Sequence, residues 1–407
     1  MNRITVTIPT YWCRKAGEAG RPEDSVFDHP TPINREGTLR RCLESLLPIR
    51  APSFQVLIIT APVNQGLAAA VEEKIESIIS PFRKSLSIAQ FGPPDLALVK
   101  RELEKEGIDP ALVSLDAYAQ IRNCQLLGSV LLDTDLIAAI DDDEVVPEDY
   151  LAKAGAFAGK QHRGRRIHGV AGIYLNSEGD YRLKEAPAAR SSSNLFKRKA
   201  ALMNDEFSSY MDRPERIVDT AVALGGNMIF SRDLFWNVPF DPGITRGEDI
   251  DYLLNSRMLR FNWVLDKELS ITHLPPPPSE EEPLSSSPYS KLQQDIMRFI
   301  YQREKLKFSS VIDGLEPLRL EEFGCYPGEF FKDYLEEHAL EALREMRPED
   351  ADEGFFPKPE EWISKARERA GRTRFFIGFR EKWQQVVGLA AESRLLKEHL
   401  QRKFDPL

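Results

Sequence analysis

Residues 137–147, Ile-Ala-Ala-Ile-Asp-Asp-Asp-Glu-Val-Val-Pro, decide how this chain is read. Leu136 to Ile140 is short and wholly apolar, the pattern of a buried strand. It runs directly into Asp141, Asp142, Asp143 and Glu144, which places a carboxylate cluster at the carboxyl edge of a sheet. That edge is where ligands bind in open α/β folds. Acids crowded at the end of an apolar strand repel one another and are costly to hold without a counter-cation. A hard divalent ion takes oxygen ligands and shares its shell with substrate phosphates. Asp141 and Asp143 are therefore expected to ligate Mn²⁺ or Mg²⁺. The competing structural reading is a solvated turn whose acids cap a helix after Pro147.

Outward from this stretch the chain alternates strands with helices. Ile4 to Tyr11 and Phe54 to Thr60 are β-branched and short, as buried strands should be. Thr38 to Leu47, Leu67 to Ile79 and Tyr118 to Leu127 carry apolar residues at helical spacing. Gly169 to Leu175, Ala223 to Ser231 (entered through Gly225-Gly226) and Val264 to Thr272 read as later strands, and Arg14 to Glu36 as a long loop. This order predicts an α/β fold with a mostly parallel, Rossmann-like sheet flanked by helices. Pro275 to Pro288, with four consecutive prolines followed by Ser and Glu, can hold neither a regular helix nor a central strand. Beyond it the period becomes helical: Leu292, Ile296, Phe299, Ile300 and Leu306 form one apolar face, and Val386, Leu389, Leu395, Leu396 and Leu400 another. The predicted organisation is a catalytic domain over 1–274, a linker over 275–290 and a mainly helical region over 291–407.

Bulk properties narrow the function. The 407 residues carry 54 Lys+Arg against 64 Asp+Glu, a net charge of −10, so nucleic acid is not an expected partner. The basic runs Lys197–Lys199 and Arg163–Arg166 read as solvated faces, with a donor diphosphate or an anionic membrane surface as the other readings. Cys13, Cys42, Cys124 and Cys325 are scattered without a C-x-x-C pair, which argues against a zinc knuckle or a disulfide framework. No long apolar run and no charged-then-apolar leader pattern is present. A cytoplasmic protein is expected, with peripheral contact at the inner membrane face or a homo-oligomer left open.

A second acidic group, Glu248, Asp249 and Asp251, opens a segment with helical spacing (Ile250, Leu253, Leu254, Met258), where a helix dipole alone would favour acids. His273 directly follows the last strand and precedes the proline run; a neutral imidazole there is a competent ligand in a mixed site. Trp236 and Trp263 flank the acidic helix and are candidates for lining a ligand cleft or for plain core packing.

Five of these elements, taken in order, resemble the GT-A glycosyltransferases, and within them the inverting family 2. Ile140-Asp-Asp-Asp143 is similar to the D-x-D motif, Gln120-Ile-Arg-Asn123 to the preceding A-R-N element and Thr7-Ile-Pro-Thr-Tyr11 to the first strand. Leu224-Gly-Gly-Asn-Met-Ile-Phe230 resembles the acceptor-side Gly-Gly loop, and Arg246-Gly-Glu-Asp-Ile-Asp251 the ED motif. The resemblance spans roughly residues 3 to 275; the long loop after the first strand and the C-terminal helices depart from it. It implies a nucleotide-sugar donor, UDP- or GDP-linked, and a carbohydrate, lipid-linked or small-molecule acceptor. It further implies Pro9, Thr10, Tyr11, Arg122, Asp141 and Asp142 on the nucleotide side, with Thr60 as a further base contact. Asp141, Asp143 and His273 would be at the metal, Asp249 would be the base, and Glu248 would orient the acceptor. A retaining GT-A enzyme of the glucosyl- or mannosylglycerate-forming kind is the alternative. A sugar-phosphate nucleotidyltransferase is disfavoured because Thr10-Tyr-Trp-Cys-Arg-Lys15 lacks the glycine-rich phosphate loop. An inactive module of the same fold is the third reading.

Overall fold

Apolar, β-branched segments pair into strands because their backbone groups must be hydrogen-bonded once buried. A computed structural model describes residues 3–18, 27, 30–50, 52–276, 287–348 and 356–404. Its strands, in chain order, are β1 (Ile4–Cys13), β2 (Thr31–Pro32), β3 (Phe54–Pro62), β4 (Ile88–Phe91), β5 (Leu136–Ala139) and β6 (Glu144–Val145). They continue with β7 (Gln161–His162), β8 (Arg165–Arg166), β9 (Gly169–Leu175), β10 (Ile217–Asp219), β11 (Met228–Ser231) and β12 (Trp263–His273). The described residues form a ten-stranded sheet in the order β10–β12–β9–β11–β5–β1–β3–β4, with β2 beside β1 and β6 beside β12. β5, β1, β3 and β4 are mutually parallel, the arrangement that strand–helix alternation predicts. β11 runs antiparallel between β5 and β9. The expected strand Ala223–Ser231 starts only at Met228, because Leu224 to Asn227 form a turn closed by Asn227 N–H on Leu224 O at 2.8 Å.

Side chains alternate across the sheet as the pleat requires. Val6, Ile8, Val56, Ile58, Leu136 and Ala138 enter one core, and Leu57, Ile59, Ile137 and Ala139 the other. The second core also receives Ile296, Phe299, Trp383 and Leu396 from the C-terminal helices, so those helices complete the packing under the sheet. Leu395, expected on their apolar face, is instead exposed. Residues 277–286, the centre of the proline strap, lie outside the described residues. Among the described residues no helix is long and apolar enough to cross a membrane, and the four cysteines form no disulfide with one another.

A buried ionic cluster fixes the acidic helix Glu248–Met258 to the C-terminal helix Pro288–Ser309. Lys305, with no exposed surface, donates to Asp251 (2.8 and 2.7 Å) and to Asn255 Oδ1 (2.8 Å), and lies 2.6 Å from Asp241 Oδ2. Tyr301 hydroxyl also donates to Asp241, at 2.8 Å. Removing the cation strands two buried carboxylates, so Lys305→Met should cost about 3–5 kcal/mol. A denaturant midpoint unchanged from wild type would show that the cluster contributes nothing.

Candidate active site

Ile140 N–H still bonds Thr7 O at 3.1 Å, and the chain then turns through Asp141–Asp143 into β6. β6 pairs antiparallel with the end of β12, setting Glu144 opposite His273, and Leu274 N–H closes on Asp143 O at 3.0 Å. This register brings His273 Nε2 to 3.1 Å from Asp143 Oδ2. Burial alone would lower the imidazole pKa; the Asp143 hydrogen bond and charge, with that of Asp141, outweigh it and raise the value. Tyr174 backs the imidazole, with ring centroids 5.1 Å apart, and its hydroxyl accepts from Gly226 N–H at 2.7 Å.

Asp141 faces elsewhere. Its Oδ1 is 2.9 Å from Nη2 of Arg122, a nearly buried residue on the helix Tyr118–Leu131 whose Nε is 3.4 Å from Glu248 Oε1. Arg122 therefore bridges the two acidic motifs. The Gly-Gly turn permits this approach: a Cβ on Gly225 would stand 2.6 Å from Arg122 Nη2, and one on Gly226 would stand 2.1 Å from Glu144 Oε1. Glu144 itself is fully buried, its Oε2 accepting Asp141 N–H at 2.8 Å. Burial, with Asp141 and Asp143 beside it, pushes its pKa well up.

Gly247 sits in the left-handed region, φ 67°, and starts the acidic helix; a Cβ there would fall 2.1 Å from Arg298 Nη1. Asp249 next to it accepts from Gly225 N–H (3.2 Å) and Ile250 N–H (2.7 Å). Burial first, then the charge of Glu248, push its pKa up to about 6, with Arg298 pulling the other way.

These elements converge on a cleft of about 700 Å³ lined by Tyr11, Arg122, Asp141, Asp142, Asp143, Glu248, Asp249 and His273. Other expected residues do not line it. Pro9 is buried within β1. Thr10 is buried too and donates to Asp142 Oδ2 at 2.5 Å, with Thr38 on Oδ1 at 3.2 Å, so it orients Asp142 from behind. Burial and the charge of Asp143 raise the Asp142 carboxyl to about 7 despite those bonds. Thr60 is buried against Gln90, 3.0 Å away. Trp263 packs in an aromatic core beside Phe230, and Trp236 lies over Arg232.

Among the described residues no three His, Cys, Asp or Glu side chains gather into a set that would hold a metal ion unaided. Of the expected trio, Asp143 and His273 are in direct contact, while Asp141 pairs with Arg122. A pair still fits a divalent cation that completes its shell with diphosphate oxygens and water. The clustered carboxylates of the turn supply the matching charge.

Sequence reading did not place Lys199, Arg298 and Tyr326 in the cleft, which they line together with Arg246. Lys199 lay in a run read as a solvated face, yet it pairs with buried Asp295. Only the run itself was a signal; Arg298 arrives from the helix Pro288–Ser309 and Tyr326 from a turn that follows it in the chain.

No family model and no curated protein matches the chain. Solved structures similar to it include a mannosyltransferase from Pyrobaculum calidifontis in complex with GDP-Man and Mn²⁺, at 13% identity and TM-score 0.43, covering 96% of this chain and 87% of that one. TarS from S. aureus is similar at 12% identity and TM-score 0.38, covering 95% of this chain and 55% of that one. GalNAc-T7, solved with UDP, GalNAc and Mn²⁺, is similar at 12% identity and TM-score 0.40, with 85% and 58% covered.

Proposed function

We propose that the chain is a metal-dependent glycosyltransferase that takes a sugar from a nucleoside-diphosphate donor and transfers it with inversion. The observation that carries this reading is that the D-x-D-like turn and the ED-like helix, more than 100 residues apart in sequence, meet across one cleft through Arg122. In this reading Asp143 and His273 hold the cation, and the nucleotide lies along Tyr11 and Asp142. When bound, the cation neutralises charge on the departing diphosphate. Arg122 keeps Asp141 and Glu248 in place and adds a fixed positive charge between the two motifs. Asp249 takes the acceptor hydroxyl proton as the oxygen bonds to the anomeric carbon and the bond to the diphosphate breaks. The leaving nucleoside diphosphate departs with that electron pair. Burial sets Asp249 near pKa 6, basic enough to accept a proton and still ionised at neutral pH.

The test is nucleotide binding followed by calorimetry. UDP or GDP should bind only with Mn²⁺ or Mg²⁺ present. His273→Ala should raise the metal concentration required by about 10- to 100-fold, the effect typical of losing a supporting group at a metal. A metal titration superimposable on wild type would leave His273 a structural neighbour of Asp143.

A further inference from the structure

Tyr174, near the end of β9, lines the cleft between the Asp143–His273 pair and the Gly-Gly turn. Parallel pairing sets it opposite Ile271 of β12. Side chains alternate along a strand, so Ile271 and His273 share the face that Tyr174 occupies. The Tyr174 ring therefore lies beside the imidazole, centroids 5.1 Å apart and planes 32° from parallel. That imidazole is the one whose Nε2 meets Asp143 Oδ2 at 3.1 Å. The outer torsion of a histidine is broad on its own, and a ring packed along the imidazole narrows it.

The hydroxyl of the same side chain serves a different partner. It accepts Gly226 N–H at 2.7 Å, while the amide before it, Gly225 N–H, donates to Asp249 Oδ2 at 3.2 Å. Consecutive amides of one turn thus bind Tyr174 and Asp249. Asn227 fixes the strand end of the turn, its side-chain amide donating to Ile173 O and Leu269 O at 3.1 and 3.0 Å. The two glycines bring no side chain of their own to hold the other end, and their backbone torsions are the freest of any residue. Peptide units are rigid, so holding the Gly226 N–H limits where Gly225 can aim its own.

We propose that Tyr174 is a positioning residue with two separable parts. Its ring sets the His273 imidazole for the cation, and its hydroxyl sets the Gly-Gly turn that holds Asp249. What the two ends accomplish rests on the glycosyltransferase reading above; the contacts themselves do not. The ring acts on metal affinity. The hydroxyl acts on the chemical step, because a base that is slightly displaced loses its line on the acceptor hydroxyl. Cation and base are thereby kept in a fixed relation by one side chain.

The test compares Tyr174→Phe, which keeps the ring, with Tyr174→Leu, which removes ring and hydroxyl together. Three readouts apply to the full chain: Mn²⁺ affinity by electron paramagnetic resonance without nucleotide, amide hydrogen exchange of the Gly225–Gly226 turn, and kcat against donor KM. In Tyr174→Phe the turn should exchange about fivefold faster, as the loss of one net hydrogen bond implies. Its kcat should fall about tenfold or more, while Mn²⁺ affinity and donor KM stay within twofold. Tyr174→Leu should in addition bind Mn²⁺ about tenfold or more weakly, the effect of losing support behind a metal ligand. A side chain that only fills space would shift stability without this split. Should Tyr174→Leu lose its fold by circular dichroism, Tyr174→Phe still decides through exchange and kcat. Wild-type exchange or wild-type kcat in Tyr174→Phe would overturn the proposal. Equal Mn²⁺ affinity in the two folded variants, or no Mn²⁺ binding in wild type, would overturn it as well. The expected changes in exchange and Mn²⁺ affinity in a protein that consumes no nucleotide sugar would uphold the role of Tyr174 and overturn the glycosyltransferase reading instead.

Discussion

Asp143→Ala is expected to lower turnover by about 10² to 10⁴-fold. Its Oδ2 meets His273 Nε2, and both belong to the pair that fits a divalent cation. A bound metal is worth several kcal/mol of transition-state charge stabilisation, and 1.36 kcal/mol is a tenfold change in rate. The turn itself should survive, because Leu274 N–H and Arg41 bond the Asp143 backbone carbonyl, which alanine keeps. Thermal unfolding close to wild type, together with lost nucleoside diphosphate release, would match the assignment. A folded variant of normal turnover would remove Asp143 from the metal.

Asp249→Asn keeps the shape of the side chain and one of its two acceptor contacts, Gly225 N–H on Oδ2 or Ile250 N–H on Oδ1, yet it cannot take a proton. The chemical step should fall by about 10² to 10⁴-fold, the range for a general base. Donor affinity should hold, since the nucleotide side of the cleft lies with Asp143, Asp142 and Tyr11. The wild-type profile of kcat/KM should carry an ascending limb near pH 6, the value at which burial and Glu248 place this carboxyl. The sign follows from the active form being the ionised one, so activity is lost as pH falls through that value. In the variant the limb should vanish. Weakened donor binding with near-normal turnover at saturation would put Asp249 on the donor side. A product retaining the donor's anomeric configuration would point to a retaining enzyme, in which the leaving diphosphate takes the proton.

Much of this arrangement was legible because it is local. β1, β3, β5, β9 and β12 are apolar runs that announce themselves, and Asp141–Asp143 follow β5 without a break. The cleft itself came from motif order, since Asp143, Glu248, Asp249 and His273 do converge. What stayed hidden depends on pairings distant in sequence. β4, four residues long, gives no clear period, and the helix Pro93–Lys105 after it begins with two prolines, which suit a first helical turn but carry no apolar period. Nothing near Asp141 announces that Arg122 claims it. Lys199 and Arg298 come together in the cleft only when two helices about 90 residues apart in sequence share Asp295. Thr10 ends up supporting Asp142 because the strand pleat points its hydroxyl behind the turn.

The central claim is tested most directly by following nucleoside diphosphate release from a panel of UDP- and GDP-sugars, with Mn²⁺ and with chelator. At least one donor should be consumed in a cation-dependent manner, with the activity lost in Asp143→Ala. Consumption of no donor by the folded protein, or a rate unaffected by chelator, would contradict a metal-dependent glycosyltransferase.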